Sequence, residues 1–131
     1  RKFKIFIFIC VATSLGDLTG NILKELLSDT RPCFGYSEIF IEKGLILKEC
    51  GSQSTGMPSN HAINFFLFST LLHLTIKNKY ISSIYFISSV FVALSRVFLI
   101  KHLLSQVIIG AFIGIFLGIF FYNLFYKWIK T

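Results

Sequence analysis

Acidic side chains are scarce in this sequence: Asp and Glu account for 6 residues, against 13 Lys and Arg. The carboxylates form no cluster, so the sequence predicts no carboxylate metal site. The alternation of apolar and polar residues that is typical of a membrane barrel is absent as well. Internal repeats, low-complexity tracts and the small-residue cleavage site of a signal peptide are also missing. These absences favour a chain of apolar helices.

Apolar and aromatic residues are abundant. Hydrophobic residues make up 54% of the chain, Phe alone contributes 16 residues, and the mean hydropathy is +0.73. Soluble domains contain about 45–50% apolar residues, so this composition fits a surface that faces lipid. A net charge of +7 also occurs in nucleic-acid-binding proteins, but here the basic residues stand at the ends of apolar segments. We therefore predict a lipid bilayer, and no nucleic acid, as the partner.

Four apolar segments predict an all-α, multi-pass transmembrane helix bundle that forms a single domain over residues 1–131. A helix needs about 20 residues to cross the hydrocarbon core, and a spanning helix satisfies its own backbone hydrogen bonds. The second segment is marginal at about 18 residues and is expected to begin in a crevice below the outer surface. The segments are Phe3–Leu27, Ser59–Ile76, Tyr80–Ile100 and Leu103–Trp128.

The distribution of charge orients these helices. If the long 28–58 loop is outside, the inside ends carry seven basic residues and no acid, as the positive-inside rule favours. Alternation of the helices then puts three separate polar clusters on the outer side. The orientation is set by the inside ends of the helices and not by these clusters. That all three clusters fall on the same side is therefore independent support for one site. They are Lys24 with Arg31-Pro32, Pro58-Ser59-Asn60-His61, and Ser95-Arg96 with His102.

The first cluster supplies two cations. Arg31 offers a planar fork that suits two phosphate oxygens, whereas Lys24 acts as a point charge. Pro32 stiffens the chain directly after the arginine. Snorkelling at a helix end would explain Lys24 alone, but the pair favours phosphate binding.

The second cluster predicts a loop that turns into a helix, with Ser59 or Asn60 as the N-cap. Such a helix start binds anions through its backbone N–H groups and the positive end of its dipole. A plain capped helix has no use for His61, whereas a reaction in which an acid protonates a leaving oxygen does.

The third cluster lies where the third and fourth helices meet. Arg96 on an apolar helix is costly unless it is paired, and phosphate is a natural partner. A histidine nucleophile needs one ring nitrogen oriented by an acceptor. Gln106 follows His102 by four residues, so the two are expected to share a helix face and the Gln106 oxygen to orient the ring.

These residues resemble the type 2 phosphatidic acid phosphatases (PAP2), which share their site with class A acid phosphatases and vanadium haloperoxidases. The family pattern is K-x6-RP, then PSGH, then SR-x5-H-x3-D. Three motifs in order, over residues 24–106, are specific. The sequence departs from the pattern at Asn60, where the family has Gly, and at Gln106, where it has Asp. The matches are Lys24-x6-Arg31-Pro32, Pro58-Ser59-Asn60-His61 and Ser95-Arg96-x5-His102-x3-Gln106.

The resemblance implies a phosphoric monoester hydrolase without cofactor or metal. His102 would be the nucleophile that forms a phosphohistidine, and His61 would protonate the departing oxygen and then activate water. Gln106 can orient His102 but carries no charge to stabilise an imidazolium. We therefore predict an active enzyme whose rate changes when Asp is restored at position 106. The implied phosphate-binding residues are Lys24, Arg31, Ser59, Asn60 and Arg96.

The resemblance also bears on size, substrate and location. Membrane members of the family have six helices, so the four seen here indicate a missing N-terminal part or a minimal variant. Lipid A 1-phosphate is the favoured substrate, with undecaprenyl pyrophosphate and phosphatidylglycerophosphate as alternatives. The expected location is a bacterial inner membrane, with the site facing the periplasm or exterior. A catalytically silent lipid-phosphate-binding protein or a transporter is a further alternative, supported by Gln106 and opposed by the two histidines. The oligomeric state stays open.

The cysteines and one further histidine give weaker signals. Cys33 and Cys50 both lie in the outer loop, where a disulfide and two free thiols are both compatible with the sequence. Cys10 is interpreted as a small buried residue. His73 lies mid-membrane with no evident partner, and packing or a helix hydrogen bond is the preferred explanation.

Three glycines in the fourth helix and an aspartate in the first predict contacts between helices. Gly110, Gly114 and Gly118 share one face of the fourth helix and allow a neighbouring helix to approach closely. Packing within the bundle is preferred over a dimer face. Asp17 lies about two turns below Lys24 on the same face. A neutral carboxyl group or a hydrogen bond within the bundle is preferred over a role in sensing Lys24 or substrate.

Overall fold

The computed structural model describes residues 1–27, 38–39, 41–44 and 56–131. These ranges contain four helices and no strand, so the all-α prediction is confirmed. Each helix begins and ends within two residues of its predicted segment. The helices are α1 (Lys2–Leu27), α2 (Asn60–Ile76), α3 (Lys79–Phe98) and α4 (Leu104–Lys130).

Three of the helices, α1, α3 and α4, are long and apolar enough to cross a membrane. The remaining helix, α2, has 17 residues, which corresponds to about 25 Å at 1.5 Å per residue. Large apolar side chains cover the outside of the bundle, as shown by the exposed fractions of 83% for Phe98 and 73% for Phe3. A surface of this kind is compatible with a membrane protein, in which lipid replaces water around the helices.

The short helix α2 lies at the centre of the bundle and packs against α1, α3 and α4. Its side chains Ile63, Leu67 and Leu71 are fully buried. Leu67 and Leu71 join an apolar cluster that includes Phe8 of α1 and Phe121 of α4. The Ser59–His61 motif at the start of α2 is therefore carried by a helix that packs against all three others, and this packing fixes its position.

The glycines of α4 face α2, as the preferred interpretation of their spacing predicts. A Cβ atom on Gly110 would lie 2.8 Å from the Ser59 carbonyl oxygen, and one on Gly118 would lie 2.8 Å from Thr70. Because the glycine row lets the two backbones approach so closely, packing within the bundle is confirmed.

Hydroxyl groups connect α2 to α3 across an otherwise apolar contact. The Ser69 and Ser89 hydroxyls lie 2.8 Å apart, and the Ser89 hydroxyl also lies 3.0 Å from the Phe65 carbonyl oxygen. His73, in the last turn of α2, has a partner that the sequence did not indicate: its Nδ1 lies 3.1 Å from the Ser82 hydroxyl of α3.

The cysteine predictions have a different outcome. Cys10 is exposed on α1, so the prediction that it is buried was wrong. The reason is physical: in a helix that faces lipid, a small apolar side chain is equally suited to the inside and the outside of the bundle. The predicted alternatives for Cys33 and Cys50 lie outside the described residues.

Candidate active site

One end of the bundle collects the polar residues that the sequence motifs contain. Lys24 lies in the last turn of α1 and Arg96 in the last turn of α3. At the same end, the backbone N–H of Ser59 donates to the carbonyl oxygen of Gln106, at 3.3 Å, and so joins the starts of α2 and α4. Arg31 lies outside the described residues.

A tight turn between α3 and α4 brings His102 next to Arg96. The N–H groups of Lys101 and His102 both donate to the Arg96 carbonyl oxygen, at 3.1 and 3.2 Å, and Ile100 N–H donates to Val97 at 3.0 Å. This pattern requires a left-handed residue, normally glycine, and here Ile100 takes that position at φ 58°. A β-branched residue in this region is rare and strained. The turn is therefore held by its hydrogen bonds against a local preference.

The ring of His102 is buried and oriented. Its exposed fraction is 2%, and Nδ1 lies 2.8 Å from the carbonyl oxygen of Gly56. A carbonyl oxygen only accepts hydrogen bonds, so Nδ1 carries the proton in the neutral ring and the lone pair is on Nε2. The acceptor is thus a backbone group in the segment before α2.

The side chain of Gln106 caps the start of α4. Its side-chain oxygen accepts the N–H of Leu103, at 2.9 Å, and its exposed fraction is 0%. It therefore caps the start of α4, while Gly56 takes the orienting position beside Nδ1. The shared-face argument was wrong because His102 lies in the turn before α4, where helical spacing does not apply.

The start of α2 has the capped geometry that the sequence predicts. Ser59 is the N-cap, and its side-chain oxygen accepts the N–H of Ala62 at 3.4 Å. His61 lies in the first turn and is exposed. The cap leaves other N–H groups of this first turn without helical carbonyl partners, and such groups suit the oxygens of an anion.

Asn60 points its side chain away from this helix start and towards α1. Its amide nitrogen donates to Asn21 Oδ1 at 2.8 Å and to Asp17 Oδ1 at 3.2 Å. Asn64 donates to the same Asp17 oxygen, at 3.1 Å. The preferred interpretation of Asp17, a hydrogen bond within the bundle, is confirmed. Because the side-chain amide of Asn60 donates to α1, a phosphate at the start of α2 would contact Asn60 through its backbone N–H.

Arg96 carries a buried donor that has no acceptor in the part of the chain that the structure describes. Its Nε atom is buried, and no acceptor lies within hydrogen-bond distance among the described residues. Burying a charged donor without a partner is costly. An oxygen-rich anion at this end of the bundle would satisfy it, and phosphate presents oxygens that match a guanidinium fork. Nowhere in the described part of the chain do three or more His, Cys, Asp or Glu side chains form a metal-binding group.

A comparison with models of protein families identifies the family of this chain: the model of the PAP2 superfamily matches residues 5–130. The chain belongs to the PAP2 superfamily. No curated protein and no solved structure matches it. The PAP2 match includes nearly all of the four helices, and the members of this family are phosphatases, so a phosphatase activity is supported at the level of the family.

Sequence reasoning missed two parts of this PAP2 site. The Gly56 carbonyl had no signal, because any residue supplies a backbone oxygen. Asn21 and Asn64 had only a weak signal: both are polar residues in apolar segments, and each lies on the same helix face as a polar residue three or four positions away.

Proposed function

We propose that this chain is a membrane lipid phosphate phosphatase in which His102 accepts the phosphoryl group. The observation that carries the proposal is the hydrogen bond from His102 Nδ1 to Gly56. It sets the tautomer that a nucleophilic imidazole requires, with the lone pair on Nε2. The buried donor of Arg96 and the capped start of α2 supply positive partners for phosphate at the same end of the bundle.

The reaction has two steps. Nε2 of His102 forms a bond to phosphorus while the bond from phosphorus to the lipid oxygen breaks, and His61 donates a proton to that oxygen. A water molecule then gives its proton to His61 and attacks the phosphohistidine, which releases inorganic phosphate and restores His102. Lys24, Arg31, Arg96 and the first N–H groups of α2 stabilise the charge on the phosphoryl oxygens in both transition states.

The substrate class follows from where the site lies. The polar end belongs to a bundle whose helices expose large apolar side chains along their length, so a phosphate attached to a lipid tail reaches it from the bilayer. The inside ends of the helices carry cations and no acids, which supports a site on the periplasmic or outer face of a bacterial inner membrane. Lipid A 1-phosphate is the first substrate to test.

The test is phosphate release in detergent micelles from lipid A, undecaprenyl pyrophosphate, phosphatidylglycerophosphate and phosphatidic acid. We expect release that survives EDTA, is lost in His102→Ala and is retained in His73→Ala, a matched control at a histidine that bonds only within the bundle. The preferred lipid identifies the substrate. A folded protein that releases phosphate from none of these lipids would favour the catalytically silent binder instead.

A further inference from the structure

Asp17, Asn21 and Lys24 form a polar row along one face of α1, and Gly20 lies on the same face. Asp17, Gly20 and Asn21 lie against Asn60 of α2. Asp17, Gly20, Asn21 and Lys24 follow one another at intervals of three, one and three residues, so they share one helix face. The middle of this row contacts the start of α2, and Lys24 lies one turn beyond it. The row therefore connects a structural contact to a cation proposed to bind phosphate.

Asn60 makes that contact. Both donors of its amide are used on α1, by Asn21 Oδ1 at 2.8 Å and Asp17 Oδ1 at 3.2 Å. A carboxylate only accepts, so the amide nitrogen must face Asp17, and this sets the orientation of the Asn60 side chain. Its own oxygen is buried without a partner among the described residues. The side chain thus leaves an acceptor unused while it keeps two bonds to α1.

Gly20 is matched to Asn60. A Cβ atom on Gly20 would lie 2.9 Å from Asn60 Cγ and closer still to its Oδ1. No larger side chain fits at position 20 while Asn60 holds this position. The fit leaves little room for α1 to rotate or slide against α2.

The consequence concerns Lys24. A shift of α1 by one residue would move Lys24 by 1.5 Å along the helix and turn it by about 100°. Asn60 prevents such a shift within one turn of Lys24, and it directly follows the Ser59 cap. The family pattern has glycine at this position, and glycine has no side chain with which to reach α1.

We propose that Asn60 is a positioning residue that sets Lys24 of α1 relative to the phosphate-binding start of α2. This positioning role rests on the proposed function, because the proposed function assigns Lys24 to phosphate binding. Asn60 contributes through its bonds to Asp17 and Asn21, and its side chain does not touch the substrate.

A double-mutant cycle tests this inference with uncharged substitutions: Asn60→Ala, Asn21→Ala and the pair together. The readouts are KM for the best lipid, kcat, and the inhibition constants of inorganic phosphate and vanadate. Because small misplacements of a binding group are costly, we expect Asn60→Ala to raise KM and both inhibition constants about tenfold, and Asn21→Ala about threefold. The double variant should resemble Asn60→Ala, since both changes remove the same contact. We expect kcat to change less than KM, because Lys24 holds the phosphate in the ground state as well as in the transition state.

Thr19→Val is the matched control. Thr19 lies on α1 between the two acceptors, and its hydroxyl bonds only to the Leu15 carbonyl of the same helix, at 2.8 Å. We expect its KM and inhibition constants to equal those of the wild type. A purely structural role for Asn60 would lower the melting temperature and leave KM and the inhibition constants of the folded protein unchanged, and that result would overturn the inference.

Measurements on the wild type distinguish a failure of the proposed phosphatase activity from a failure of the positioning role of Asn60. Wild-type turnover with unchanged constants in Asn60→Ala would overturn the positioning role alone. If the wild type shows no turnover, the proposed function fails, and the positioning role is then read from the rise in melting temperature caused by phosphate or vanadate. That rise should be smaller in Asn60→Ala than in Thr19→Val. No rise in the wild type would overturn both proposals.

Discussion

The backbone N–H of His102 donates to the carbonyl oxygen of Arg96 at 3.2 Å. The proposed nucleophile and Arg96, whose buried Nε has no acceptor among the described residues, are therefore joined through the main chain of one turn.

The first prediction concerns the covalent intermediate. With p-nitrophenyl phosphate the leaving group needs no proton, so His61→Asn should form the phosphohistidine and then hydrolyse it slowly. We expect labelled, acid-labile and base-stable phosphate to accumulate on His61→Asn in rapid-quench experiments. His102→Asn should carry no label. Label retained by His102→Asn would assign the nucleophile to another residue.

The second prediction concerns Arg96. Replacing it with methionine removes a buried donor that has no acceptor among the described residues, so Arg96→Met should keep or raise the melting temperature. The same variant should lose about 100-fold or more in kcat/KM, because one preorganised donor to a transition state contributes that much. Lys101→Met, at an exposed neighbour in the same turn, is the control and should retain activity. A large fall in melting temperature would contradict the assignment of Arg96 to an anion.

The third prediction concerns Gln106, and it separates the cap of α4 from an effect on turnover. Gln106→Leu removes the acceptor for Leu103 N–H and should destabilise the protein by about 1 kcal/mol, the usual cost of a lost helix cap. Gln106→Asp keeps an acceptor and adds a charge near His102, so it should change turnover and its pH dependence while it preserves more stability than Gln106→Leu. Identical turnover and pH dependence in wild type and Gln106→Asp would exclude an electrostatic role for this side chain.

The fourth prediction concerns the contact between α2 and α4. A Cβ atom on Gly114 would meet the Ile63 carbonyl oxygen and lie 3.0 Å from Leu67 N, both main-chain atoms of α2. On Gly118 it would meet the side chain of Thr70. Gly114→Ala should therefore cost more stability than Gly118→Ala, on the order of 1–3 kcal/mol for the former. Thermal unfolding in detergent measures the difference, and equal melting temperatures would show that α4 moves away easily.

Much of the fold could be predicted because the apolar segments are long and their ends carry charges or caps. The bounds of α2 follow from the Ser59 cap and from Lys77-Asn78-Lys79, which separates Ile76 from the next apolar run. Helix periodicity also placed Asp17 on the face of Lys24, and the structure shows that this face contacts α2.

Other parts of the site could not be predicted from spacing. His102 precedes the first residue of α4, so counting four residues to Gln106 assumed a helix that had not yet begun. The left-handed Ile100 has no sequence signal, because glycine or asparagine is the usual residue at such a turn. The direction of the Asn60 side chain depends on acceptors in a helix about 40 residues earlier, which local patterns do not reveal.

The length of α2 has a consequence for the surrounding bilayer. At 17 residues it is shorter than the 26 residues of α1 and the 27 of α4, and about 25 Å of helix falls short of a hydrocarbon core of about 30 Å. Because α2 lies at the centre of the bundle, the longer helices around it set the thickness of the adjacent bilayer. The start of α2 bonds to Asn21, and α1 continues from there to Leu27, which is about 9 Å further at 1.5 Å per residue. A lipid phosphate must therefore enter the bundle to reach the start of α2. Turnover in vesicles should accordingly fall as the acyl chains of the host lipid lengthen and lift the head groups further from the site.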